Sequence, residues 1–276
     1  MVKEWDNPYN PFNSFKVLMW REWLEGIAKG EFLVPVTVDT DPANACNYKC
    51  IWCNAFDYMH GSVKKQILPE GHLLKLADFY KEWGTHSTCI AGGGEPLMNP
   101  GMPAFLEKLN ENGIESGIIT NGSLLTDELI EIIARTSRWC GISMDAATPE
   151  TYKKIKGISD GKMFNKVIEN IRKLTKKCEE YNNTCDVAYK YLLHPLNADE
   201  LYDAAKLAKD IGVKDFHMRP VGWDNLTVTK DKAKLDFESK IKRVEKQCAN
   251  AFLLENNHFN FYGVRHKFQP NMERKI

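Results

Sequence analysis

Six β-rich segments, each followed by a helix-like one, restrict this chain to a parallel α/β fold. The strand-like segments are 32–38, 88–91, 116–120, 139–144, 185–193 and 214–218. Helical spacing runs through 71–83, 103–112, 127–136, 150–156, 164–181, 199–211 and 232–255. Right-handed crossovers wind such units into an open, partial (β/α)6 TIM-like barrel. A doubly wound sheet is the alternative, but its usual glycine fingerprint after the first strand is missing. Ahead of the barrel, 14–29 places Phe15, Leu18, Met19, Trp23, Leu24 and Ile27 at helical spacing, with Gly30 as a stop. The organisation expected is an N-terminal capping helix and segment over 1–33, a barrel over 34–256 and a short C-terminal extension over 257–276. In that extension, 258–264 reads as a strand or extended tail.

The first strand runs into Cys46-Asn47-Tyr48-Lys49-Cys50-Ile51-Trp52-Cys53. Three thiolates in one loop are one short of what a cubane [4Fe–4S] cluster or a tetrahedral zinc site takes. A cluster so held keeps one iron free of protein ligands. A zinc knuckle completed by His60 or by an outside cysteine is the other reading of the same residues. The remaining cysteines, Cys89, Cys140, Cys178, Cys185 and Cys248, are scattered and read as small buried hydrophobes. Cys140 and Cys185 fall in predicted strands, so one of them could face the barrel interior as a hydrogen-atom donor.

In α/β barrels the active site gathers at the C-terminal strand ends, and unusual residues collect there. The second strand ends in Gly92-Gly93-Gly94-Glu95-Pro96, the third in Thr120-Asn121-Gly122, the fourth in Ser143-Met144-Asp145 and the sixth in Met218-Arg219-Pro220. Glycines let backbone carbonyls approach a bound ammonium, though a glycine-rich turn needs no ligand. Ser143 and Asp145, two apart on a strand, point the same way and suit ribose hydroxyls. Capping of the next helix by Asp145 or Thr148 is the alternative. Arg219 can meet a substrate carboxylate or phosphate or sit in a rim salt bridge. Trp223 and Asp224 follow in the same loop.

The C-x3-C-x2-C spacing, with Trp52 before the last cysteine, resembles the signature of the radical S-adenosylmethionine (SAM) superfamily. Gly93-Gly94-Glu95-Pro96 is similar to that family's Gly-Gly-Glu-Pro motif. The resemblance covers roughly 34–221 and lies with the branch of molybdenum-cofactor cyclases and of peptide-maturing enzymes bearing SPASM or twitch extensions. No second group of cysteines for an auxiliary cluster follows the barrel, which is compatible with a truncated chain.

The resemblance implies a [4Fe–4S] cluster on Cys46, Cys50 and Cys53. It also implies SAM cleavage to a 5′-deoxyadenosyl radical and hydrogen abstraction from a peptide or small metabolite. The electron donor it implies is of the flavodoxin or ferredoxin kind. The SAM site implied comprises Trp52, Gly93, Gly94, Glu95, Pro96, Ser143 and Asp145, with Thr120 and Asn121 adjoining. Lys156 stands where the family has an arginine for the SAM carboxylate. By itself, a lysine in the run Lys153-Lys154-Ile155-Lys156 reads as part of a solvated face. The second function class is a non-catalytic, zinc- or cluster-stabilised binding protein.

Composition narrows the partners. Lys plus Arg number 37, as do Asp plus Glu, so the net charge of zero argues against a nucleic-acid coat. Segment 1–13 lacks the basic-then-apolar pattern of a leader, and no apolar run approaches membrane-spanning length. With eight cysteines in 276 residues, a reducing cytoplasm is the expected setting.

Overall fold

A computed structural model describes residues 20–61, 64–182 and 184–221. The elements in order are α1 (Arg21–Ala28), β1 (Thr37–Thr40), α2 (Phe56–His60), α3 (Glu70–Trp83), β2 (Ser87–Ile90), α4 (Met102–Glu111), β3 (Glu115–Thr120), α5 (Asp127–Thr136), β4 (Ser137–Ser143), α6 (Pro149–Lys156), α7 (Met163–Glu180), β5 (Asp186–Leu193), α8 (Leu201–Asp210) and β6 (Asp215–Pro220). The six strands pair in chain order, and every pair is parallel. A doubly wound sheet reverses its strand order at a switch point. No reversal occurs among the described strands, in keeping with the partial barrel.

The side-chain alternation of each strand separates two faces. One carries Ile90, Ile118, Cys140, Val187, Tyr189 and Phe216, neighbours in register and all buried in the core with the helices. From the helices come Leu73, Phe105, Ile133, Val167, Ile171 and Ala204. Each large side chain contributes about 1.5–3 kcal/mol by leaving water. The opposite, inward face carries Asp39, Cys89, Gly117, Trp139 and Asp186 in one register row and Ser143, Lys190 and His217 in another. Active-site chemistry has only this face and the loops above it to use.

Several expectations are corrected. The first strand is Thr37–Thr40 and not 32–38, and Phe32 is 95% exposed. Pairing with β2 begins at Thr37 opposite Ser87, and β-propensity without a neighbouring strand does not make one. The short helix α2 after the cysteine loop was not foreseen. The helix expected over 199–211 is divided into a 3-10 turn, Ala198–Glu200, and α8. Neither Cys140 nor Cys185 faces the interior. Both are buried on the helix side, where Cys185 hydrogen-bonds Cys178 of α7. Among the described strands, the thiol on the inward face is that of Cys89. The start of the helix expected over 14–29, Trp223, Asp224, Cys248, the helix at 232–255 and the tail from 258 lie outside the described residues.

Candidate active site at the open ends of the strands

The cysteine loop is held by the ends of two other strands and of one helix. Its backbone N–H groups at Lys49 and Ile51 donate to the carbonyls of Lys156 and Ile155 at the end of α6, both at 3.0 Å. Glu95 donates its backbone N–H to Ala45 at 2.8 Å, tying β2's loop to the cysteine loop. Asn121, beyond β3, donates from Nδ2 to Asn47 Oδ1 at 2.8 Å, and Asn47 donates in turn to Ser123 Oγ at 2.9 Å. Tyr48 and Tyr152 share a hydroxyl hydrogen bond at 3.2 Å, and His60 Nε2 bonds the Tyr48 carbonyl at 3.0 Å. At Gly157 a side chain would run into the Lys49 backbone, and φ there is +59°, so glycine permits the approach of helix to loop.

Within this loop Cys46, Cys50 and Cys53 are free thiols, each half-buried. Burial pushes Cys50 up to about 11, against the pull of the Lys156 charge. Burial likewise raises Cys46 and Cys53. Cys46 and Cys50 sense the charge of Cys53, so the three thiols are electrostatic neighbours. Among the described residues no three His, Cys, Asp or Glu side chains converge on one metal-ion position. Three thiols on one held loop are soft donors of the kind a [4Fe–4S] cluster takes, one thiolate to an iron.

Glu95 is 3% exposed and knits the wall. Its carboxylate accepts from Thr120 Oγ1 at 2.5 Å, Asn121 N at 2.7 Å and Leu97 N at 3.1 Å. Burial drives its carboxyl above the ordinary range against these donors. Pro96 and Leu97 are buried beside it, opening the 3-10 turn Pro96–Met98. Thr120 and Asn121 therefore position the loops around the site through Glu95 and Asn47.

Gly94 does not face open space. A Cβ there would collide with the Ala45 carbonyl and lie 2.6 Å from the Ala43 carbonyl and 2.8 Å from Ala45 N. A larger residue at 94 therefore first displaces the cysteine loop. Gly94→Ala is expected to lose both bound iron and SAM affinity, read by iron counting and equilibrium dialysis. Full iron content in Gly94→Ala would contradict this packing. Gly93 is the open one, since its added Cβ would meet nothing closer than the Tyr58 ring at 3.8 Å. A cleft of about 580 Å³ borders Gly93, Asp41, Ala43, Asn44 and Tyr58.

Ser143 and Asp145 part company. Ser143 ends β4 half-buried on the inward face, whereas Asp145 lies beyond the strand with φ +60° and is 1% exposed. Strand alternation stops where the strand does. Asp145 Oδ2 takes the Lys156 ammonium at 2.6 Å, and its Oδ1 accepts from Leu192 N at 2.6 Å. Lys156 is 1% exposed, so it is no part of a solvated face. Burial works against its charge, and Asp145 with Cys50 more than restores it, raising its pKa above the ordinary value. The α6 cap is Thr148, which accepts from Thr151 N.

Trp52 is buried with its ring 5.3 Å from that of His194. Arg219 is exposed near the end of β6 and donates from Nε to His217 Nε2 at 2.9 Å. Lys190, on the inward face of β5, was missed by the sequence reading. A lysine inside Val187-Ala188-Tyr189-Lys190-Tyr191-Leu192 was the available signal.

The radical SAM superfamily profile matches residues 40–208, from the last residue of β1 into α8. The chain belongs to the radical SAM superfamily. The cofactors of that superfamily are a [4Fe–4S] cluster and SAM. This radical SAM protein is 25% identical over 206 residues to a protein named probable GTP 3′,8-cyclase from Saccharolobus islandicus (strain M.14.25 / Kamchatka #1), covering 73% of this chain and 63% of that one. It is 26% identical over 207 residues to an S-adenosylmethionine-dependent nucleotide dehydratase from Flammeovirga pacifica, covering 73% and 69%. The chain thus spans 63% of the cyclase's length. Among solved structures, SuiB of Streptococcus suis bound to its precursor peptide SuiA aligns with TM-score 0.65 and 14% identity, over 91% of this chain and 54% of that one. The anSMEcpe protein with bound AdoMet aligns with TM-score 0.58 and 19% identity, over 79% and 61%. At these identities the likeness is one of fold. No helix among the described residues is long and apolar enough to cross a membrane.

Proposed function

We propose that this protein is an enzyme that reductively cleaves SAM and abstracts hydrogen from a substrate bound inside the partial barrel. The observation that carries the reading is the three-thiol loop, fastened by backbone bonds to the ends of β2 and α6 and by Asn47 to the end of β3. Cys46, Cys50 and Cys53 would hold the cluster as thiolates, releasing their protons to solvent as the metal binds. When bound, the cluster and SAM supply the electron and the 5′-deoxyadenosyl group from which the radical arises. The chain's own part is to orient and to exclude water. Gly93 offers backbone with room beside it, and Ser143 offers a hydroxyl on the inward face. Trp52 and the Glu95 network wall the site. Lys156 would reach a SAM carboxylate only by leaving Asp145.

The relatives named as a GTP cyclase and a nucleotide dehydratase favour a small metabolite over a peptide as substrate. A low-potential one-electron protein, of the flavodoxin or ferredoxin kind, would supply the electron. The cytoplasm is the setting proposed, in keeping with the free thiols.

The test is anaerobic reconstitution with iron and sulfide, followed by dithionite and SAM. About four irons per chain and 5′-deoxyadenosine are expected. A colourless zinc protein inert toward SAM would instead establish the binding-protein alternative.

A further inference from the structure

The inward face of the sheet is sorted by charge. Near the strand N-termini, Asp186 accepts Lys214 at 2.6 Å and has Arg138 at 3.9 Å, so the acid there is neutralised. Further along the same strands the face turns cationic. Lys190 of β5 lies opposite Ser143 of β4 on one side and His217 of β6 on the other, and Arg219 lies two residues beyond His217. The Lys190 ammonium sits 5.5 Å from the centre of the Trp139 ring, and Arg219 holds His217 through Nε. Among the described residues neither Lys190 nor Arg219 forms an ion pair with a carboxylate.

Two like charges gathered on a half-buried face repel each other and attract an anion. Lys190 registers this: burial first, then Arg219, pulls it down to about 8. His217 is pulled down to about 3 by burial, Arg219 and Lys190, so the ring is neutral and can accept the Arg219 N–H. That bond orients the guanidinium and leaves its two terminal NH2 groups for paired oxygens.

We propose that Lys190 and Arg219, with His217 as the residue positioning Arg219, form an oxyanion subsite for a phosphoryl group of the substrate. Two positive charges balance the charge of about −1.5 to −2 that a phosphoryl group carries near neutral pH, whereas a carboxylate leaves one charge over. The substrate class is then a phosphorylated small molecule. This rests on the reading of the barrel interior as the substrate chamber.

Isothermal titration separates the possibilities. The probes are GTP, guanosine, inorganic tripolyphosphate and N-acetylglycine, each titrated into the parent, Lys190→Met and Arg219→Gln. GTP and tripolyphosphate should bind the parent, weaken with salt, and lose about ten-fold in affinity in either variant. Guanosine should bind all three proteins alike and more weakly. The GTP affinity of the parent should fall as pH rises through about 8, where Lys190 loses its proton, and this step should vanish in Lys190→Met. The groups placed to modulate that step are Asp39 and Cys89 on the inward face, Arg219 and His217 of β6, Asp145 beyond β4 and Lys156 of α6. Arg219 is exposed, so Arg219→Gln keeps the test sound if Lys190→Met disturbs the sheet. GTP binding that ignores both substitutions, guanosine binding as tightly as GTP, or N-acetylglycine competing as well as tripolyphosphate would each overturn the subsite. Production of 5′-deoxyadenosine by the parent is scored separately. Its failure would strike the radical SAM activity and leave the anion site standing.

Discussion

Replacing Cys46, Cys50 and Cys53 together by Ala should abolish bound iron, brown colour and SAM cleavage while the protein still unfolds cooperatively. The loop does not depend on its thiols for position. Backbone bonds from Lys49 and Ile51 to α6 and from Glu95 to Ala45, the Asn47–Asn121 pair and the buried Tyr48 side chain hold it. The thiols are half-buried, so truncation removes little packed volume, about 1 kcal/mol each at most. Iron counting and the melting curve are the measurements. Cleavage that survives in the triple variant would sink the ligand assignment. Iron well above one cluster per parent chain would show that cysteines outside the loop also bind it. That result would be hard to reconcile with Cys140, Cys178 and Cys185, which are buried against the helices.

A second large effect is expected from the Asp145–Lys156 pair. Both side chains are 2% exposed and 2.6 Å apart, and the pair joins the turn after β4 to the end of α6 beneath the cysteine loop. Removing one partner leaves an uncompensated buried charge, at about 3–5 kcal/mol. Lys156→Met should lower stability by that much. Asp145→Asn should do nearly the same, although Asn tolerates the positive φ and can keep an acceptor for Leu192 N. The double variant should recover part of the loss, because no charge is stranded. Urea midpoints of the two singles and the double decide it. Single losses below about 1 kcal/mol, adding without coupling, would mean that water reaches the pair.

Local periodicity accounts for what could be read without coordinates. Six βα units, the loops carrying unusual residues and the cysteine motif depend on residue types near one another in the chain. Their order was therefore legible. The strand faces were legible wherever the strand persists. The rule failed at Asp145, one residue beyond Met144, because a positive φ redirected its side chain away from Ser143.

Contacts between distant segments decided the roles. Glu95, a ligand contact by motif, is a buried tie between β2 and β3, because its acceptors meet donors at Thr120 and Asn121, 25 and 26 residues away. Gly94 is required by the backbone of Ala43 and Ala45, which leaves no room for a side chain. Lys156 is an interior cation because Asp145 compensates its burial. Lys190, unremarkable within a hydrophobic strand, gains significance only when β6 lays His217 beside it and brings Arg219 within reach of its charge. The sequence by itself determined the order of elements and the grouping of three cysteines in one loop, since both follow from neighbours in the chain. Which side chains face the interior and which hold the walls was decided by tertiary structure, since desolvation and pairing arise only when separate strand ends are packed together.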